Sequence, residues 1–135
     1  MLLLAEDDDN DFVLLRRAFQ KCQMENFVVR TKSGREAKEF LSNGDKAKQV
    51  GVIISDIKMP DMNGFELLTW FKGQPRLTKI PFFVLTSSDQ QQDRQRCGVL
   101  GASGYLVKPI RFEALVEMAE TFKRFLKPSM PSRRA

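Results

Sequence analysis

Short apolar runs recur along this chain, each followed by a longer stretch with helical spacing, and this alternation constrains the fold more than any other feature. "LLLA" at Leu2–Ala5, "FVVRT" at Phe27–Thr31, "GVIIS" at Gly51–Ser55, "IPFFVLT" at Ile80–Thr86 and "SGYLVK" at Ser103–Lys108 predict five strands. In the segment after the first run, Leu15, Ala18, Phe19 and Cys22 fall along one side of a helix, with Asp9 or Asn10 as its expected N-cap. "SGREAKEFLSNG" predicts a second helix that buries Ala37, Phe40 and Leu41 and stops at Gly44. "NGFELLTWFKG" predicts a third, ended by Gly73 and Pro75. "SDQQQDRQRCGVLG" is a weaker fourth, because Gln90–Gln92 gives little apolar face, and Phe112, Leu115, Val116, Ala119 and Phe122 define a clear fifth.

Five β–α units imply an α/β protein with a parallel sheet covered by helices on both faces. Strands that read as continuous apolar runs, rather than alternating ones, fit burial on both faces. Right-handed crossovers restrict the topology, and the expectation is a flavodoxin-like doubly wound five-stranded parallel sheet, (βα)5, in the order 2-1-3-4-5. A chain of 135 residues suits one such domain, expected over 1–127, with 128–135 as a disordered basic tail.

Composition narrows the chemistry. There is no histidine, which excludes histidine-dependent triads, histidine metal sites and phosphohistidine formation within this chain. Cys22 and Cys97 form neither a CxxC nor a zinc spacing and read as reduced, partly buried thiols. No run of eighteen apolar residues suggests a membrane span, and "MLLLAEDDDND" lacks a basic n-region, so a cytoplasmic protein without a leader is expected. Net charge is +5, all of it arising beyond residue 60. That surplus fits a solvated surface with a basic tail better than a nucleic-acid interface, since no DNA-reading module is recognisable.

The polar residues carry the chemistry by where the strands end. In doubly wound folds ligands gather outside the carboxyl ends of the strands. Strand one runs into Glu6, Asp7 and Asp8, strand three into Asp56, strand four into Thr86, Ser87 and Ser88, and strand five into Lys108. Each has a plain local explanation as a turn, cap or exposed residue. Together they place carboxylates, hydroxyls and one ammonium along one sheet edge. Clustered carboxylates repel unless a cation enters, and an all-oxygen donor set suggests Mg²⁺. A carboxylate nucleophile, a hydroxyl and an ammonium around such an ion suit phosphoryl transfer. An EF-hand reading fails: Asp7, Asp9 and Asp11 fit its first positions, but Phe12 and Ala18 stand where Gly and Glu are needed. Asp8, Asp9 and Asp11 read instead as helix-start residues and local support. No GxxxxGK followed by Ser or Thr is present, so a phosphoryl group has to come from another molecule.

The ordered motifs "LLLAEDD", "VIISDIKMPDMNG", "FFVLTSS" and "GASGYLVKP" resemble the receiver domain of two-component response regulators over about residues 1–127. "EDDDND" and "LTSSDQQQD" are most similar to small stand-alone receivers, including those paired with phytochrome-type or other hybrid histidine kinases. The resemblance implies that Asp56 is the phosphoacceptor. It implies that Glu6 and Asp7 form the acidic pair of a Mg²⁺ site, with Asp7 the direct ligand beside Asp56, and that the backbone carbonyl of Lys58 completes the set. Thr86 matches the switch hydroxyl, Lys108 the phosphoryl-stabilising lysine, and Tyr105 the aromatic switch residue, while the bond before Pro109 is implied to be cis. Lys58 and Ser88 match variable positions that tune phosphoryl lifetime.

The resulting expectation is a signalling protein rather than an enzyme. It takes a phosphoryl group from a phosphohistidine of a histidine kinase or histidine phosphotransfer protein. It then alters the face made by the fourth helix, fifth strand and fifth helix, which binds a downstream protein target or a second copy. Arg94, Arg96, Arg111, Lys123, Arg124 and Lys127 fall around that face. The alternative is a non-switching protein- or nucleic-acid-binding adaptor on the same fold, supported only by the basic second half. A phosphohydrolase using Asp56 lacks a second aspartate two residues on, where Lys58 stands.

Overall fold

The computed structural model describes residues 1–126. The expected tail at 128–135 lies outside them. Five parallel strands, β1 (Leu2–Ala5), β2 (Val28–Thr31), β3 (Val52–Ser55), β4 (Phe82–Thr86) and β5 (Gly104–Val107), form one sheet in the order β2-β1-β3-β4-β5. The helices are α1 (Asp9–Lys21), α2 (Gly34–Ser42), α3 (Gly44–Ala47), α4 (Gly64–Lys72), α5 (Gln91–Val99) and α6 (Phe112–Phe122). This is the flavodoxin-like topology expected from the sequence. The additional short α3 makes the expected fourth and fifth helices α5 and α6.

Alternation along the strands divides the core in two. Leu3, Ala5, Ile53, Phe82 and Val84 face α2, α4 and α5, where they pack with Ala37, Leu41, Leu67, Leu68, Phe71 and Cys97. Leu2, Leu4, Val52, Ile54 and Leu85 face the other way, onto Leu15, Ala18 and Phe19 of α1 and Leu115, Ala119 and Phe122 of α6. β1 and β3 are buried along their full length, while β2 and β5 at the edges are half-buried. Burial of a large aliphatic or aromatic side chain contributes roughly 1.5–3 kcal/mol, so the two layers pin the strands from both sides.

Four local readings change. Asp8, not Asp9 or Asn10, caps α1, its side chain accepting from the Asp11 N–H. Phe27 belongs to a 3-10 turn, and β2 begins at Val28. Gly44 does not end the helical region: Asn43 accepts from the Lys46 N–H and starts α3. No peptide bond among the described residues is cis, so the Lys108–Pro109 bond is trans, contrary to what the resemblance implied. An X–Pro bond favours trans by about 0.5–1 kcal/mol, and Lys108 reaches its partners from the trans form.

Candidate functional site

The register of the sheet delivers the site. Ala5 pairs with Thr31 on one side and Ser55 on the other, so Glu6 and Asp56 leave the sheet as neighbours. Thr86 pairs with Val107, so Lys108 follows at the same edge. The ladder continues one step past the strands: Glu6 N donates to Thr31 O, Asp56 N to Ala5 O, and Lys108 N to Thr86 O. These bonds hold the backbone of each candidate residue at the carboxyl edge of the sheet.

The turn after β3 fixes Asp56 from the other side. Asn63 caps α4 in a reciprocal pair with Glu66. Gly64 N donates to Ile57 O, and a Cβ on Gly64 would collide with the carbonyl oxygen of Asp56. The glycine therefore lets the start of α4 close onto the residue that carries the carboxylate. Asp56 itself is buried. Its Oδ1 accepts from the Ile57 N–H at 2.6 Å and its Oδ2 from Lys108 Nζ at 2.8 Å.

Lys108 stands at the centre. Its ammonium lies 2.7 Å from Glu6 Oε1, 2.8 Å from Asp11 Oδ2 and 2.8 Å from Asp56 Oδ2. Burial alone would lower the pKa of this lysine, but the bonds to Asp11, Asp56 and Glu6 outweigh it and raise the pKa above its ordinary value. Glu6 moves up as well, chiefly through burial and then through the nearby Asp56 charge, against the stabilising bond from Lys108. Ligand oxygens of Glu6, Asp11 and Asp56 lie within 4.8 Å of one another. Three carboxylates and one ammonium leave two negative charges without a counter-charge inside the site. Hard oxygen donors with that balance fit a divalent cation such as Mg²⁺.

The remaining expected residues surround this centre. Asp7 and Lys58 line an open cleft of about 710 Å³ with Met59 and Asn63, and the Arg96 guanidinium sits 4.1 Å over the Phe65 ring at its wall. A second cleft of about 560 Å³ runs from Asp56 and Lys58 along Thr86 and Ser88 to Asp93. Thr86 is buried, and its Oγ1 accepts from the Ser88 N–H at 3.3 Å. Tyr105 is half-buried and lies outside the charged centre. Its hydroxyl donates to the Ser88 carbonyl at 2.7 Å, beneath an Arg94 guanidinium 4.7 Å from the ring. Burial, ahead of smaller effects, raises its pKa. Ser88 Oγ donates to Asp93 Oδ2 at 2.7 Å, so one residue ties β4, α5 and β5 together.

Two residues had no assigned contact at the sequence level. Asp11 enters the centre directly across 97 positions. Arg30, in β2, donates to the carbonyls of Glu6 and Asp7 at 3.0 and 3.3 Å and to Asp9 Oδ1 at 2.8 Å, with its guanidinium 4.3 Å from the Phe12 ring. It straps the loop that carries the acidic pair. A lone arginine in an otherwise apolar strand was its only sequence signal.

Residues 2–120 match the family model described as the response regulator receiver domain. Among curated relatives, the probable methanogenesis regulatory protein FilR2 of Methanothrix harundinacea is 29% identical over 127 residues, covering 93% of this chain and 82% of that protein. The chain spans only 49% of a longer relative, the two-component response regulator ORR1 of Oryza sativa, at 32% identity over 82% of this chain. The phosphorylated cyanobacterial phytochrome response regulator RcpA superposes with a TM-score of 0.81 at 26% identity, over 97% of each chain. The Mn²⁺-bound form of response regulator Rcp1 gives 0.77 at 26%, over 98% of this chain and 97% of that one.

Proposed function

The chain belongs to the response regulator receiver domain family, and from that premise we propose that Asp56 accepts a phosphoryl group from a partner phosphohistidine in a Mg²⁺-dependent reaction. The observation that carries this reading is the buried Asp56 carboxylate bonded to Lys108 beside Glu6, at the end of β3 and open to a cleft. Asp56 Oδ2 is the oxygen that faces the ammonium and is the attacking atom in this reading. Lys108 then transfers its bond from the carboxylate to a phosphoryl oxygen, and Thr86 donates its hydroxyl to another. Asp7, Asp56 and the Lys58 carbonyl, with Glu6 behind them, are the groups assigned to hold Mg²⁺. Bound there, the ion neutralises phosphoryl charge and orients the transferring group. The Mn²⁺-bound Rcp1 and phosphorylated RcpA relatives support both parts.

The response follows from the Ser88 junction. Thr86 Oγ1 accepts from the Ser88 N–H, so a shift of that hydroxyl toward a phosphoryl group pulls on the Ser88 backbone. Movement of Ser88 loosens its carbonyl from Tyr105 and its hydroxyl from Asp93, which alters the α5–β5–α6 face. That face carries the exposed Val99 and is the surface assigned to a protein target or a second copy, with a histidine kinase or phosphotransfer protein as donor. Amide NMR with Mg²⁺ and beryllofluoride tests the reading. Expected are shifts at Asp56, Thr86, Ser88 and Tyr105 that require both additives and vanish in Asp56→Asn. Shifts confined to the first turn of α1, or unchanged in Asp56→Asn, would contradict it.

A further inference from the structure

The Lys108 ammonium donates to Asp11 Oδ2 and Asp56 Oδ2 and pairs with Glu6 Oε1, so three carboxylates share its charge. Glu6 and Asp56, two of the acceptors, belong to the group assigned above to the metal. Their side chains are 2% and 11% exposed, deep in the site. Asp11 differs in every respect. It lies on α1 rather than at a strand end, has no role in the expected ligand set, and at 40% exposure sits on the outer rim. Its backbone is fixed in place: Asp11 N donates to the capping Asp8 side chain at 2.9 Å, and Arg30 holds the loop before it through the Glu6 and Asp7 carbonyls.

We propose that Asp11 is a positioning residue for Lys108, an outer anchor onto which the ammonium shifts when a divalent cation takes the Glu6 and Asp56 oxygens it now holds. The inference rests on the metal-dependent reading of the site. The lysine side chain is only 12% exposed, so an ammonium displaced from Asp56 cannot simply return to bulk water. Asp11 lets it swing outward about the bonds it keeps. Without Asp11, the ammonium has only Glu6 and Asp56 as anionic partners and settles where it competes most directly with an incoming cation. Asp11 thus acts on metal binding through Lys108, not as a ligand.

A double-mutant cycle separates these roles. Mg²⁺ affinity is measured by amide NMR titration of the full chain as wild type, Asp11→Asn, Lys108→Ala and the double variant. The expected result is a Kd raised about threefold or more by Asp11→Asn when Lys108 is present, and less than about twofold when it is absent. Asp11→Glu is expected to keep the wild-type value, and a slowly exchanging Lys108 ammonium signal is expected in wild type and not in Asp11→Asn. Equal weakening in both backgrounds would make Asp11 a direct partner of the metal and overturn the inference, as would no weakening in either. A wild-type chain that binds no Mg²⁺ removes the reading beneath it, whereas metal binding without coupling removes this inference alone.

Discussion

Replacing Lys108 with Met keeps most of the apolar stem and removes the ammonium that three carboxylates share. Taking one partner from a buried ion pair costs about 3–5 kcal/mol, because the other charge stays buried and uncompensated. This site has an escape, which is to protonate the least exposed carboxylate. Glu6 is 1% exposed and already raised from its ordinary value of 4.5, by burial first and Asp56 second. Holding one such group neutral at pH 7 costs at most 1.36 kcal/mol for each pH unit above 4.5, about 3 kcal/mol in all, and only about 0.7 kcal/mol at pH 5. The sign follows from the raised value. Stability attached to protonated Glu6 is complete below 4.5 and is lost as pH rises through the folded-state pKa. Urea denaturation followed by circular dichroism at both pH values reads the difference. The variant should lose about 2–3 kcal/mol at pH 7, recover most of it at pH 5, and be stabilised by Mg²⁺ more than wild type is. An equal loss at both pH values would mean that packing, not charge, ties Lys108 to the site, and would refute the reasoning.

Two other substitutions test how the site is held. Arg30→Ala should destabilise the chain by about 1–2 kcal/mol, because two carbonyl bonds and the Phe12 stack are lost while the exposed Asp9 pair counts for little. Mg²⁺ affinity should fall several-fold with it, and Arg30→Lys should recover little, since an ammonium cannot fork to both carbonyls; full recovery in a titration would argue for charge alone. Gly64→Ala should cost about 1–3 kcal/mol in the same denaturation assay, because its Cβ meets backbone rather than a movable side chain, and it should slow phosphorylation by displacing Asp56.

Much of this was legible in the sequence, for a physical reason. Strands buried on both faces must be apolar throughout, so β1, β3 and β4 announced themselves, and the topology then fixed which residues share the carboxyl edge. Glu6, Asp56, Thr86 and Lys108 were recoverable because each follows or ends a strand. Asp11 and Arg30 were not, because their partners depend on which elements lie side by side. Asp11 meets Lys108 only after α1 packs beside α6, and Arg30 reaches the β1–α1 loop only because β2 flanks β1. Gly44 misled as a helix stop because Asn-Gly serves a turn and a new N-cap equally well. The expected cis bond before Pro109 came from resemblance alone; nothing in the local residues required it.

The proposed event is phosphoryl transfer to Asp56 with the help of a divalent cation. Its most direct test is intact mass after incubation with a small phosphodonor, with and without Mg²⁺, for wild type and Asp56→Asn. One added phosphoryl group in wild type, dependent on Mg²⁺ and absent in Asp56→Asn, is the predicted result. No addition to wild type, or the same addition to Asp56→Asn, would contradict the account.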